Sequence, residues 1–156
     1  MKFSFAADRT LGKLVKWLRI LGFDTIFEPD FSSKGFYDHL EPERILLTRI
    51  EKIRSRLADK RLIFIEADNF QAQLKQVVGQ LAITPKDIHV FSRCLHCNFP
   101  IIEVDKQTLY GLVPDYIWET QKKFSLCRKC ERIFWRGSHA ERTMAVIDQL
   151  FDEDNE

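Results

Sequence analysis

The chain lacks any apolar run close to the roughly 18 residues that a membrane-spanning helix requires, so no membrane partner is expected. Its opening, MKFSFAADR, is broken by Asp8 before an apolar segment of signal-peptide length can develop. The expectation is therefore a cytoplasmic protein whose thiols stay reduced. Neither standard glycine-rich phosphate loop is present, which argues against nucleoside triphosphate chemistry. Histidine is scarce and scattered, at His39, His89, His96 and His139, and these positions support no Ser-His-Asp arrangement. Internal repeats and low-complexity linkers are also missing.

Cysteine is scarce too, and all four residues fall in two matched pairs, Cys94-Leu95-His96-Cys97 and Cys127-Arg128-Lys129-Cys130. Two C-x2-C knuckles offer four thiolates to one tetrahedral Zn²⁺. The 29 residues between the pairs exceed the roughly 15–20 of a compact site and suit a ribbon with a long hairpin. Two reactive dithiols or two disulfides are the other readings. A thioredoxin-like pair opens a helix after a strand, whereas each pair here sits among turn-forming and polar residues. Disulfides do not suit a reducing compartment. Structural zinc on Cys94, Cys97, Cys127 and Cys130 is the expectation, and a closed four-thiolate site leaves no open position for chemistry. His96, inside the first knuckle, is a ligand that four cysteines do not need.

What the chain has in quantity is apolar surface. Hydrophobic residues make up 45% and thirteen are phenylalanine, ample for one packed domain with at most a small appendage. The net charge of +1 conceals an asymmetry. Residues 1–90 carry 15 basic against 12 acidic side chains, residues 91–137 carry 8 against 5, and residues 138–156 carry 1 against 6. Lys122, Lys123, Arg128, Lys129, Arg132 and Arg136 crowd one stretch, interleaved with Phe124, Phe134 and Trp135. Cations for phosphates beside rings that stack on bases suit an RNA surface; a solvated basic face beside a hairpin core is the alternative. The acidic end, Asp152 to Glu156, reads as a frayed, solubilising tail.

Patterning gives the architecture. Phe3–Ala7 reads as a strand ending at Asp8, followed by a helix with Thr10 as a possible N-cap and Leu11, Leu14, Val15, Leu18 and Leu21 at helical spacing. Gly22 closes that helix, and Arg9, Lys13 and Lys16 mark its other face, with Arg19 beside them. Asp24–Phe27 is a second strand, Arg44–Thr48 a buried parallel one, and Leu62–Ile65 a fourth. Basic and apolar helices follow the last two. The order predicts an α/β fold with a mostly parallel sheet flanked by helices. The expected boundaries are 1–90 for this domain, 91–151 for the cysteine module with a closing helix over Ser138–Phe151, and 152–156 for the acidic tail.

In open parallel sheets, catalytic groups collect at the carboxyl ends of the strands. Those ends carry Asp8, then Glu28 and Asp30, then Thr48-Arg49, then Glu66 and Asp68. Such carboxylates suit Mg²⁺ or Mn²⁺, which activate water and stabilise a leaving oxygen. Asp8 is the favoured one, because its helix presents Arg9, Lys13 and Lys16 to a phosphate backbone. Asp30, Asp38 and Asp68 read rather as caps or surface residues than as ligands. His139 either contacts RNA or caps and packs the last helix.

These stretches together resemble one family. Ala7-Asp8-Arg9-Thr10-Leu11-Gly12-Lys13-Leu14 and Trp17–Thr25 look like its opening, Arg44–Arg49 like its central strand, and the paired cysteines with Trp135-Arg136-Gly137-Ser138-His139 like its end. The family is the Mut-seven C-terminal RNase domain, which has a PIN-like nuclease fold with a zinc ribbon. The resemblance implies a ribonuclease whose acids hold a divalent metal for phosphodiester hydrolysis. Asp8 matches its first acid, serving as the Mg²⁺ or Mn²⁺ ligand, and Asp24 its aspartate after the first helix. RNA contacts are expected at Arg9, Lys13, Lys16, Arg49, Lys122, Lys123, Arg128, Arg136 and His139. Two departures stand out. The family usually reads Thr-Arg-Asp after the central strand, where this chain has Thr48-Arg49-Ile50, and acids common before that strand are replaced by Ser32-Ser33-Lys34-Gly35. Glu51 comes one residue late, a helical rotation of roughly 100°. Two expectations follow: a metal-dependent RNase using Asp8 and Asp24, with Glu51, Asp38 or Asp68 completing a weakened site, or a non-catalytic RNA-binding module derived from a nuclease. A protein-interaction domain docking through its ribbon is a third.

Overall fold

The computed structural model describes residues 3–31 and 35–152. Ser32-Ser33-Lys34, read above as a departure from the family pattern, and most of the acidic tail, Glu153 to Glu156, lie outside the described residues. The chain forms two compact units divided between Asn98 and Phe99.

In the first unit the apolar stretches become β1 (Ser4–Ala7), β2 (Asp24–Phe27), β3 (Ile45–Thr48) and β4 (Leu62–Phe64). They form one sheet in the order β2-β1-β3-β4, with every neighbouring pair parallel. Parallel neighbours need crossovers, usually helical. Here α1 (Gly12–Ile20) joins β1 to β2, α2 (Glu51–Arg56) joins β3 to β4, and α3 (Phe70–Gln80) follows β4. The α/β sheet read from the sequence is thus present. All four residues of β3 are buried, the reason its Ile45-Leu46-Leu47 run is unbroken rather than alternating.

Alternation sorts the two faces of the sheet. Ala6 and Leu46 pack with Phe36, Tyr37 and Leu57, beside Ile53 of α2. Phe5, on the opposite face, meets Phe23 edge-on at 5.6 Å, and α1 packs against both α3 and β2. Leu14 and Leu18 of α1 are fully buried, each contributing about 2 kcal/mol relative to exposure. Gly22 ends α1 at a φ of +93°, and a Cβ there would stand 2.4 Å from the His89 carbonyl oxygen, so no other residue fits. Thr10 is not the N-cap expected from the sequence. That position belongs to Leu11, with no side-chain cap, because the Thr10 hydroxyl is drawn to Asp8 instead.

The second unit holds β5 (Ile102–Val104), β6 (Phe124–Leu126) and β7 (Ile133–Trp135) as an antiparallel sheet in that order. A short helix, α4 (Asp115–Thr120), lies in the long connection between β5 and β6, and α5 (Ser138–Asp152) closes the chain. Its core is small: Leu109, Val113 and Phe124, supported by Val104, Ile117, Trp118 and Ile133. Phe124 is therefore a core residue and no stacking platform, whereas Trp135 is 37% exposed. Among the described residues no helix is long and apolar enough to cross a membrane.

Candidate functional site

The register sets β1, β2, β3 and β4 with their carboxyl ends together, pairing Ala7 with Phe27 and Leu47, and Thr48 with Phe64. The residues immediately after these ends therefore meet, as the strand-end argument requires. Asp8 is fully buried there. One carboxylate oxygen accepts from the Thr10 backbone N–H at 2.6 Å and from the Thr10 hydroxyl. The other accepts from the Thr48 hydroxyl and from the Arg49 backbone N–H at 2.8 Å. Four donors use the roughly four lone-pair sites of a carboxylate. Asp8 thus fastens the end of β1 to the end of β3, a role that spacing alone could not disclose.

Glu28, at the end of β2, accepts from the Tyr37 hydroxyl at 2.7 Å and from the Arg9 backbone N–H at 3.0 Å. Burial, the hydrogen bond to Glu28 and the Glu28 and Asp8 charges push the Tyr37 phenol far above its ordinary range, against the opposing Arg9 charge. Tyr37 therefore serves as a fixed donor that orients Glu28. Nothing in the sequence marked it, since it lies in a turn and its partner stands at the end of β2.

The other acids disperse. Asp24 opens β2, opposite Ser4, at the amino edge of the sheet and roughly 13 Å of strand away from Asp8. Its carboxylate takes a two-toothed contact from Arg44, at 3.0 and 3.2 Å, and a 2.6 Å bond from the Asn98 amide. Glu51 begins α2, exposed, 3.7 Å from Arg54. Asp38 lies 3.3 Å from Arg56, Asp30 lies 3.4 Å from Arg19, and Asp68 lies 2.7 Å from Arg49. Among the described residues, the four cysteines are the only group of three or more such ligands close enough to hold a metal. The acids present thus do not fit a hard cation bound by several carboxylates.

Burial works to raise the Asp24 carboxyl, but hydrogen bonds from Arg44 and Asn98 and the charges of Arg44 and Arg93 outweigh it and hold it below its usual value. A carboxyl lowered in the folded state contributes stability that is complete above its unfolded pKa of about 3.9 and is lost as pH falls through the folded value. Asp24→Asn leaves the buried Arg44 without its main partner. Because Asp24 is 36% exposed, the cost is discounted to about 1–2 kcal/mol. Urea unfolding at pH 7 measures it, and the gap between wild type and variant should begin to narrow near pH 4 and close only as pH falls through the lowered folded value.

The basic residues are placed unit by unit. In the first unit Arg9, Lys13 and Lys16 are exposed and Arg49 is half-buried. Arg19 is not on that basic face: it is 4% exposed and donates to the Thr25 and Leu95 carbonyls at 3.0 and 2.8 Å. In the second unit Lys122, Lys123, Arg128, Arg136 and His139 are exposed. At the carboxyl edge of the parallel sheet lies a cleft of about 500 Å³, lined by Thr10 and Lys13, by Arg49, and by Asp68, Phe70 and Gln71.

The two cysteine knuckles have the same local build. The Asn98 N–H bonds the Cys94 carbonyl at 2.9 Å, and the Glu131 N–H bonds the Cys127 carbonyl at 2.7 Å. The residue after each second cysteine is left-handed, Asn98 at φ +62° and Glu131 at φ +63°, a conformation that non-glycine residues adopt only where the surroundings demand it. All four thiols are free of disulfides, and their sulfurs lie within 4.8 Å of one another. Tetrahedral Zn–S bonds of about 2.3 Å set sulfurs roughly 3.8 Å apart, so the group could hold a metal such as zinc. Within the first unit, Arg93 braces its knuckle by donating to the Gly22 and Asn98 carbonyls at 2.9 and 2.8 Å, while the Asn98 side chain accepts from the Thr25 N–H at 2.9 Å.

The profile described as the Mut7-C RNAse domain matches residues 3–147. No curated protein and no solved structure gives a significant match.

Proposed function

Because the chain belongs to the Mut7-C RNAse domain family, we propose that it engages RNA at the carboxyl edge of its parallel sheet, with phosphodiester hydrolysis weak or lost there. The family supports a nuclease-like function. The observation that carries the finer reading is the surroundings of Asp8, whose carboxylate takes four protein donors while Ile50 offers no second acid. Isoleucine cannot ligate a hard cation, and Glu51 points its charge to Arg54. What remains is a polar cleft with Lys13 and Arg49, suited to a phosphate backbone. Structural zinc on the four cysteines and a cytoplasmic setting, where thiols stay reduced, belong to the same reading.

One observation favours a second reading, a metal-dependent RNase of reduced power. Two of the four donors on Asp8 are the hydroxyls of Thr10 and Thr48. A hydroxyl can rotate and offer a lone pair instead, and Mg²⁺ often needs only one or two carboxylates besides substrate phosphates.

Labelled single-stranded RNA distinguishes the two. The full zinc-loaded chain is expected to bind it at low salt, with affinity falling steeply as salt rises, and to cleave it near background in Mn²⁺. Rapid Mn²⁺-dependent cleavage would transfer the conclusion to the second reading, and absence of binding at low salt would remove both. Asp8→Asn needs care as a control. An amide at position 8 sets an NH₂ against a backbone N–H of Thr10 or Arg49, expected to cost about 1–3 kcal/mol of stability. Its cleavage is therefore compared only where melting shows the variant folded.

A further inference from the structure

Among the described residues lining the cleft, Asp68 alone is acidic. It is 93% exposed, yet its carboxylate sits 2.7 Å from the Arg49 guanidinium. We propose that Arg49 and Lys13 form a phosphate-binding subsite, and that Asp68 is an internal stand-in which occupies it until a phosphate group displaces it. This rests on the RNA reading above and assigns Asp68 a role other than metal ligand.

Arg49 is fixed where such a subsite needs it. Its backbone N–H is bonded to Asp8, and its side chain is only 33% exposed. A guanidinium recognises phosphate and carboxylate with the same charge-assisted geometry. The pair is therefore asymmetric: the cation is anchored at a strand end, and the anion hangs from an exposed loop. An ion pair with so exposed a partner is weak, and a phosphate competes with it on equal geometric terms.

Lys13 is also positioned in advance. Its ammonium lies 4.7 Å from the centre of the Phe70 ring. Phe70 in turn stacks on Trp17 at 5.2 Å with a 13° interplanar angle. A ring face holds the cation without supplying an acceptor for its N–H donors, which leaves them for an anion. The eleven-residue α3 begins beside this point, with Asn69 capping the Ala72 N–H. Its positive end adds to the two cations. Against the metal-ligand role, no other two acids among the described residues gather with Asp68 into a metal-binding group.

Asp68→Asn keeps the side-chain shape and removes the competing charge. Anisotropy with labelled single-stranded RNA, carrying either a 5′-phosphate or a 5′-hydroxyl and with no Mg²⁺ or Mn²⁺ added, should show binding about three- to tenfold tighter than wild type. The salt slope should steepen by roughly 0.7, one further phosphate contact on a single strand, and Lys13→Ala should weaken binding. A gain with both RNAs assigns the subsite to the backbone diester; a gain confined to the 5′-phosphorylated RNA assigns it to a terminal monoester. Inorganic phosphate, used alone, should raise the melting temperature of Asp68→Asn more than that of wild type. If no protein binds RNA but this phosphate shift appears, the subsite stands and the RNA reading falls. If wild type binds RNA while Asp68→Asn gains nothing with either probe, or loses cleavage at unchanged affinity, the subsite is overturned and the RNA reading survives.

Discussion

Ile50→Asp is expected to raise Mn²⁺-dependent cleavage of single-stranded RNA about 100-fold over wild type, equivalent to ~2.7 kcal/mol of barrier. The backbone around position 50 already leads to Asp8. The Ile50 N–H bonds the Thr48 hydroxyl at 3.0 Å, and that hydroxyl donates to the Asp8 carboxylate. A second acid here would stand at the same strand end as the first, and a positioned divalent ion supplies several kcal/mol of charge stabilisation to a phosphoryl transfer. The variant should also fold. Ile50 is the N-cap of α2 and makes no side-chain cap bond, so aspartate gains about 1 kcal/mol as a cap. Loss of a half-buried apolar side chain offsets a similar amount, about 1 kcal/mol. Cleavage rates with and without Mn²⁺, alongside melting curves, measure both effects. If the folded variant binds RNA as wild type does and cleaves no faster, Ile50 is not what limits catalysis.

Removing metal from the cysteine group is expected to unfold residues 99–152 while the parallel-sheet unit stays folded. The smaller unit buries only Leu109, Val113 and Phe124 in its main core cluster, too little apolar surface for a segment of this size to fold unaided. Structural zinc contributes about 10–16 kcal/mol in small metal-bound modules at neutral pH, far more than this cluster and the buried Ile147 of α5 supply. The first unit has its own core of fully buried residues, among them Phe5, Leu14, Leu18 and Leu47. The knuckle at Cys94 is also held to that unit by Arg19 and Arg93. Chelation, or Cys127→Ser, should collapse the methyl resonances of Val104, Val113 and Ile133 and expose that segment to protease. Metal analysis should find one zinc per chain. A zinc-free protein with free thiols and fully dispersed resonances would refute the metal's structural role.

Much of this architecture is written in local pattern. The unbroken Ile45-Leu46-Leu47 run, the helical spacing of Leu14 and Leu18, the glycine at position 22 and the two C-x2-C pairs each specify a local structure through one interaction type, burial, backbone strain or thiolate ligation. Strand ends could also be named, so Asp8, Arg49 and Asp68 were identifiable as neighbours of one sheet edge. What those side chains do there was not, because hydrogen-bond partners come from residues far apart in sequence. Asp8 is met by Thr48 and Arg49, Glu28 by Tyr37, and Asp24 by Arg44 and Asn98 on the opposite edge.

Phe124 and Arg19 illustrate the same division. Both belong to stretches whose composition suits a basic surface, and both are buried, because neighbours brought in by the fold decide which side of a strand or helix faces inward. The sequence by itself determined the strands and helices of the parallel-sheet unit, the closing helix, the cysteine pairs and the absence of an acid at position 50. Only the tertiary structure decided that the remaining acids part company, Asp8 tied to four donors, Asp24 to a buried arginine and Asp68 to Arg49. The physical reason is that a carboxylate's role follows from the donors around it, and those donors are assembled by strand register rather than by spacing along the chain.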